Sequence, residues 1–384
     1  MNPTGRPRAD IGKVLLIRLR RIGDVVMTTP AVALLKRRFP GASLTYLVEE
    51  PYRRLVEGNP DLDRVIAVPA RQGGREFAGL MRAIRRERFD VVIDFHGGPR
   101  ASWITFASGA RLKIGYAIRR KGFLYDLRVP RTGEGGAPIH SVRNHVNLVM
   151  ALEGAEGPGG GARSGGRAGI SGDATIQDAD IPPLELPAAR PEEAERAAAI
   201  IREMGAGAGA DSAPKVVVLH IGAGNAFRDW GAPNIAELIT LLAGVPGVKV
   251  ALIGGEGDHG REDEVVRAAP PGAVVPLAGR LNLIEIRELI ARAALYVGPD
   301  SGPMHIAAST PTPIVAYFGP TLPAVFAPWR PGGGRTVILE KTLDCRPCRQ
   351  RECITADYRC LRSITPAEAF SACLGSGLNN STFG

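Results

Sequence analysis

The stretch Tyr296-Val297-Gly298-Pro299-Asp300-Ser301-Gly302-Pro303-Met304-His305 brings together residue types that suit a phosphate. Leu295 to Val297 close a short apolar run, Gly298 and Pro299 break it, and Asp300 or Ser301 can cap a helix starting near Pro303. Such a helix start offers unpaired backbone N–H groups and the positive end of the helix dipole, and Gly302 lets the backbone approach a ligand closely. The same pattern also describes an ordinary capped helix after a buried strand. Near the other end of the chain, Arg20-Arg21-Ile22-Gly23-Asp24 follows another apolar run. Asp24 stands where a helix N-cap would, but the two arginines beside it concentrate a positive charge that an anionic ligand exploits and a cap does not require. Asp94, His96, Gly97 and Gly98 follow Val91-Val92-Ile93; they are a second set of functional groups at a strand end or, for His96, a satisfied structural histidine. Four of the five cysteines are spaced Cys345-x2-Cys348-x4-Cys353-x6-Cys360. That is compact enough for a structural zinc or an iron–sulfur centre. The interleaved Arg346, Arg349, Arg351, Arg359 and Arg362 equally describe a basic loop facing an acceptor or a membrane, and reduced free thiols are a third reading.

These groups need elements to hold them, and hydrophobic periodicity predicts which. Lys13 to Arg18 reads as a buried strand and Val25 to Arg38 as a helix with Val26, Pro30, Leu34 and Leu35 near one face. Strands follow at Leu44 to Val48, Arg64 to Val68, Val91 to Phe95 and Lys113 to Tyr116, with helices at Pro51 to Glu57, Phe77 to Glu87 and Ser102 to Ser108. After a helix from Pro191 to Met204, a second series runs through Lys215 to His220, Val248 to Ile253, Val274 to Leu277, Leu283 to Ala293, Leu295 to Val297 and Ile314 to Phe318. Strands alternating with helices imply parallel sheets that bind ligands at the carboxyl ends of their strands. Two such series in 384 residues imply two domains with a cleft between them. The Gly-rich stretch from Glu153 to Ala174 has almost nothing to bury, and reads as a hinge or as a surface insertion. The expected boundaries are 1–152, a linker at 153–190, 191–365, and a terminal helix and tail at 366–384.

Composition narrows the partners. A net charge of +9 favours an anionic one, either nucleic acid, a membrane surface or a phosphorylated substrate. Aromatic content of 5% and the lack of a recognisable nucleic-acid module argue against the first. A Rossmann oxidoreductase is disfavoured because no G-x-G-x-x-G follows the first strand. No apolar run approaches the roughly 20 residues of a membrane span, and the polar start Met1 to Asp10 lacks the apolar core of a signal peptide, so a cytoplasmic protein is expected.

Five motifs then fall in a telling order: Leu16-Ile17-Arg18 with Gly23-Asp24; His220-Ile221-Gly222-Ala223-Gly224 with Arg228-Asp229-Trp230; Leu277-Ala278-Gly279; Gly298 to His305; and Phe318-Gly319-Pro320-Thr321. In this the chain resembles glycosyltransferase family nine, the ADP-heptose:lipopolysaccharide heptosyltransferases, from about Lys13 to Phe370 apart from the linker. The resemblance implies an α/β GT-B fold, two Rossmann-like domains with parallel sheets facing across a cleft. It places the acceptor on the N-terminal half and the nucleotide-sugar on the C-terminal half, with the last helix crossing back onto the first domain. It implies inverting transfer of heptose from ADP-heptose to a lipopolysaccharide core or lipid A-type acceptor, with no metal in the chemistry, in the cytoplasm or at the inner face of the inner membrane. Asp24 matches the family's proposed base, and Arg228 a position usually held by a lysine that contacts the diphosphate. Gly231 replaces a common proline. Asp300, Ser301 and Gly302 match diphosphate and sugar contacts, with His305 one turn further on, where packing is an equal reading. His220, Gly222 and Ala223 fall on the donor side, Leu281 at the adenine, and Glu256, Asp258 and Glu262 are candidates for the ribose. Arg20, Arg21, Asp94 and His96 are candidates for the acceptor. A nucleotide-sugar-binding protein without catalysis, or a transferase using another nucleotide-sugar, is the competing reading.

Overall fold

The computed structural model describes residues 11–118, 122–133, 136–155, 176–205, 214–222 and 225–378. Most of the expected linker, and Ala223, lie outside them. The chain divides into two compact units, Met1–Pro187 and Ala188–Gly384.

The first unit is built on β1 (Lys13–Ile17), β2 (Ser43–Glu49), β3 (Arg64–Val68), β4 (Val91–Asp94), β5 (Leu112–Tyr116) and β6 (Leu127–Val129). They form one sheet in the order β3-β2-β1-β4-β5-β6, with every pairing parallel. In register, Leu16 lies opposite Tyr46 on one side and Ile93 on the other. Val14 to Ile17 are wholly buried, as befits a central strand covered on both faces, and Leu15, Ile17, Leu47, Val92 and Ile104 share one core.

The second unit repeats the plan with β7 (Lys215–His220), β8 (Val248–Ile253), β9 (Val274–Pro276), β10 (Leu295–Pro299), β11 (Ile314–Phe318) and β12 (Thr336–Glu340). Its order is β12-β11-β10-β7-β8-β9, again parallel throughout. Read from the other edge this is the same doubly wound order, so each unit is Rossmann-like, as the GT-B expectation requires. The order reverses between β1 and β4 in one unit and between β7 and β10 in the other, and open sheets of this kind hold ligands beyond the strand ends at those points. Trp230 fixes the loop after β7 by packing on Tyr317, ring centroids 4.9 Å apart, and by donating its Nε1 hydrogen to the Ile364 carbonyl at 2.7 Å.

The single helix expected from Val25 to Arg38 is two, Ile22–Val26 and Thr29–Arg38. Pro30 has no N–H to continue the ladder, and its ring crowds the Val26 carbonyl. The Thr28 and Thr29 hydroxyls bond the carbonyls of Val25 and Val26 at 2.7 and 2.9 Å, so the break leaves those acceptors satisfied. Pro51 to Glu57 is likewise a shorter 3₁₀ turn, Glu50–Leu55. The terminal helix Pro366–Cys373, expected to cross back onto the first unit, is built into the second unit's core through Ala369 and Cys373 and packs on the helix Ala232–Ala243. None of the described helices is long and apolar enough to cross a membrane.

Candidate active site

In the first unit, the loops after β1 and β4 meet at the reversal point. Arg18, at the end of β1, is buried and reaches three ways. Its Nη2 pairs with Asp24 Oδ2 at 2.6 Å, its Nη1 donates to the Phe95 carbonyl at 2.6 Å, and its Nε donates to the Arg20 carbonyl at 3.0 Å. The Arg21 N–H also points at Asp24 Oδ2, at 3.4 Å. Asp24 is thus fixed by its surroundings while 34% of its side chain stays open to solvent, a placement that suits a group acting on a ligand. Arg20 and Arg21 are exposed on the same loop.

Asp94 is different. It is wholly buried, its Oδ1 accepting from the His96 and Gly97 N–H groups at 2.8 Å each and its Oδ2 from the Tyr125 hydroxyl at 2.6 Å. Burial raises its pKa against the pull of those bonds. Two of these contacts are internal to the loop and the third ties it to Tyr125, so Asp94 shapes and anchors the loop that carries His96. The His96 ring lies over Gly98, where a Cβ would come within 2.6 Å of it. Burial, then the nearby Arg18, lowers the His96 pKa to about 4, so the imidazole is neutral near pH 7.

In the second unit, the ends of β7 and β10 meet in the same way. His220 Nδ1 and Ser301 Oγ are 3.0 Å apart. Burial lowers the His220 pKa to about 4 although Asp258 opposes it, so this histidine orients Ser301 as a neutral partner. Gly298 permits the contact, since a Cβ there would meet the Tyr296 hydroxyl at 2.7 Å and His220 Cβ at 3.0 Å. Arg228 Nη1 donates to the Asp300 carbonyl at 3.0 Å and lies 3.5 Å from Asp300 Oδ2, while its Nε donates to Gln350 Oε1 at 3.2 Å. Among the described residues nothing accepts from Nη2. Asp300 is buried, with Thr321 Oγ1 donating to its Oδ2 at 2.5 Å, so it aims Arg228 from beneath. Gly302 begins the helix Gly302–Ala308, and His305 is buried within it beside Met304 and Ile306.

A cation that the sequence reading passed over completes this cluster. Arg261 lies so close over Gly222 that a Cβ there would sit 2.3 Å from its Nη1, and it reaches Asp258 Oδ1 and Asp229 Oδ2 at 3.4 Å each. The three ribose candidates also separate. Glu262 is buried and accepts from the Ala278 N–H at 2.8 Å; Asp258 closes its own turn by accepting from the Gly255 N–H at 2.8 Å. Glu256 is exposed, and its Cγ stands 3.1 Å from where a Cβ of Gly279 would be, beside the turn that leads to Leu281. Leu281 itself is partly exposed.

Comparison with known proteins shows what this arrangement resembles. The model of "Glycosyltransferase family 9 (heptosyltransferase)" matches residues 175–359. Over that stretch the chain is similar to glycosyltransferase family 9. Among curated proteins, it is 24% identical over 323 residues to lipopolysaccharide heptosyltransferase 3 of Escherichia coli (strain K12), covering 81% of this chain and 83% of that one. Among solved structures, the family 9 glycosyl transferase of Veillonella parvula DSM 2008 superposes with a TM-score of 0.73 at 21% identity, covering 96% of this chain and 98% of that one. The E. coli ADP-heptose lps heptosyltransferase II gives a TM-score of 0.71 at 21% identity, covering 95% and 98%.

One departure from the family 9 pattern has a structural account. Gly231 has φ +95° and donates its N–H to Asp229 Oδ1 at 3.0 Å. Proline can do neither, so the loop after Arg228 follows a path that the proline common in the family would forbid. The cysteine segment is a separate feature of the same unit. Cys345, Cys348, Cys353 and Cys360 are free, partly buried thiols that line one recess of about 120 Å³ together with Phe227, Pro320 and Tyr358. Among the described residues no three His, Cys, Asp or Glu side chains are gathered as a metal's donor set, and no step below runs through a metal.

Proposed function

We propose that this chain is a family 9 glycosyltransferase that moves a heptose from ADP-heptose to a lipopolysaccharide-core acceptor with inversion at the anomeric carbon. The observation that carries the reading is Arg228. Its Nε and Nη1 are held by Gln350 and Asp300 while Nη2 faces no protein acceptor among the described residues, which leaves a fixed cation with two N–H bonds for a diphosphate oxygen. Ser301, oriented by neutral His220, stands at the same strand ends, and Arg261 supplies a second positive charge. In the reaction, Asp24 accepts the proton of the acceptor hydroxyl as its oxygen attacks the anomeric carbon. The bond to the diphosphate breaks, and Arg228 stabilises the negative charge that grows on the leaving oxygen. Glu256 accepts from the ribose hydroxyls, and Leu281 supplies an apolar face for the adenine. Arg20 and Arg21 are the acceptor's anionic anchors, with His96 beside them on the Asp94 loop.

The first unit is then the acceptor domain and the second the donor domain. The chain's net charge of +9 suits a lipid-borne phosphorylated acceptor, and the exposed Trp103, Phe106 and Phe123 of the first unit offer aromatic side chains to the interface of an anionic membrane. The four cysteines share one recess but are not gathered as a metal's donor set, so this reading assigns them no zinc; stoichiometric metal in purified protein would overturn that. Calorimetric titration with ADP-heptose, other ADP-sugars and NAD tests the donor assignment. Selective binding of ADP-heptose is expected, and preference for another nucleotide would overturn it.

A further inference from the structure

The segment that carries the cysteines is tied to the donor site at more points than packing requires. Gln350, between Cys348 and Cys353, sends its side-chain oxygen to two donors, Arg228 Nε at 3.2 Å and Asn225 Nδ2 at 3.0 Å. The orientation of the amide is fixed by chemistry, because an arginine Nε–H can only donate and so must meet the oxygen. Asn225 in turn spends its own oxygen on the Phe227 N–H at 3.0 Å, which closes the short turn Ala226–Arg228. Gln350 holds φ +54°, a left-handed backbone that glutamine seldom adopts. The loop retains that conformation through contacts on both sides. The Cys348 N–H donates to the Pro320 carbonyl at 3.2 Å, Arg346 Nη2 donates to the Thr321 carbonyl at 2.9 Å, and Tyr358 packs edge-on against Phe227 at 5.3 Å. Thr321 is the residue that bonds Asp300, and Asp300 is the other support of Arg228.

We propose that the loop from Cys345 to Cys360 is a brace of the donor site, in which Gln350 is the positioning residue for Arg228. The proposal rests on the reading of Arg228 as the cation for the diphosphate. Without Gln350, the guanidinium keeps its tie to Asp300 but is free to turn about it, and Nη2 no longer points one way. The cysteine recess sits behind the same loop and is lined by Phe227 from the Arg228 turn, so a change of state at those thiols reaches the donor site through Gln350.

Two measurements on the full chain test this. In the first, ADP is titrated into wild type, Gln350→Ala, Arg228→Ala and the double variant. Gln350→Ala should weaken ADP binding about tenfold, the scale of one hydrogen bond to a charged group, and the double variant should bind no worse than Arg228→Ala alone. Wild-type affinity in Gln350→Ala, or the same loss repeated in the Arg228→Ala background, overturns the brace. The second needs no ligand. The Arg228 Nε–H resonance, assigned by its disappearance in Arg228→Ala, should exchange slowly with water in wild type and in Gln350→Glu, which keeps the acceptor, and about tenfold faster in Gln350→Ala. Equal exchange in all three refutes the brace whatever ADP does. Failure of the folded wild type to bind ADP, with the exchange pattern intact, refutes the donor reading and leaves Gln350 as the residue that holds Arg228.

Discussion

Asp24→Asn separates chemistry from architecture at the first strand end. The carboxylate's contacts include the pair with buried Arg18 Nη2 at 2.6 Å and the weak bond from the Arg21 N–H at 3.4 Å. Asparagine keeps an oxygen for both, and Arg18 retains the Phe95 and Arg20 carbonyls at 2.6 and 3.0 Å. Breaking a buried ion pair outright costs about 3–5 kcal/mol, but Asp24 is one-third exposed and Arg18 keeps two acceptors, so ~1–3 kcal/mol is the expected loss of stability in Asp24→Ala and less in Asp24→Asn. Turnover behaves otherwise, because asparagine cannot take a proton. A positioned base contributes about 10²- to 10⁴-fold, so Asp24→Asn should lose that much kcat, with ADP affinity within about twofold of wild type because the donor residues belong to the other unit. Steady-state transfer, ADP calorimetry and thermal unfolding on the same preparations give the three numbers. Turnover within about threefold of wild type in folded Asp24→Asn would refute Asp24 as the base.

Other consequences are open to measurement. Glu256→Ala should weaken ADP binding about tenfold yet leave pyrophosphate binding unchanged, since pyrophosphate has no ribose; equal effects on both would remove Glu256 from the ribose. Burial lowers His220 from the usual ~6.5 to about 4, so the unfolded chain takes up the proton first as pH falls. The stability it contributes is complete above pH ~6.5 and is lost between there and about 4, up to ~3 kcal/mol. Denaturant unfolding across that range should therefore be less pH-sensitive in His220→Gln by about one proton, and an unchanged slope would contradict the neutral buried histidine. Replacing Trp103, Phe106 and Phe123 together by serine should cut low-salt sedimentation with anionic vesicles about tenfold at little cost in stability, while undiminished sedimentation would show that the aromatic side chains take no part.

Much of the scaffold was legible in the sequence because its central strands are buried on both faces and read as unbroken apolar runs. β6 and β12 were missed for the opposite reason. They are edge strands, one only three residues long and the other half-exposed throughout, and neither carries a clear pattern. Pro30 was read as part of a helical face when its missing N–H made it a break. At the proposed site, residue type pointed to the strand ends but could not tell a carboxylate open to a ligand from one committed to the fold. Asp94 and Glu262 satisfy backbone N–H groups and are buried, whereas Asp24 and Glu256 reach solvent, and only the fold distinguishes them. Arg261 escaped notice because its relation to Gly222 exists only across the β7 and β8 strand ends; the glycine was the visible trace of it.

The central claim is that this chain moves a heptose from ADP-heptose. Its most direct test is to incubate the purified protein with ADP-heptose and a lipopolysaccharide core lacking heptose, following the acceptor's mass and the ADP released. The account predicts a gain of one heptosyl unit per ADP formed, with inverted anomeric configuration, near-complete loss in Asp24→Asn, and weakened donor use in Arg228→Ala. ADP release without any gain in acceptor mass, or transfer from a different nucleotide-sugar in preference to ADP-heptose, would contradict it.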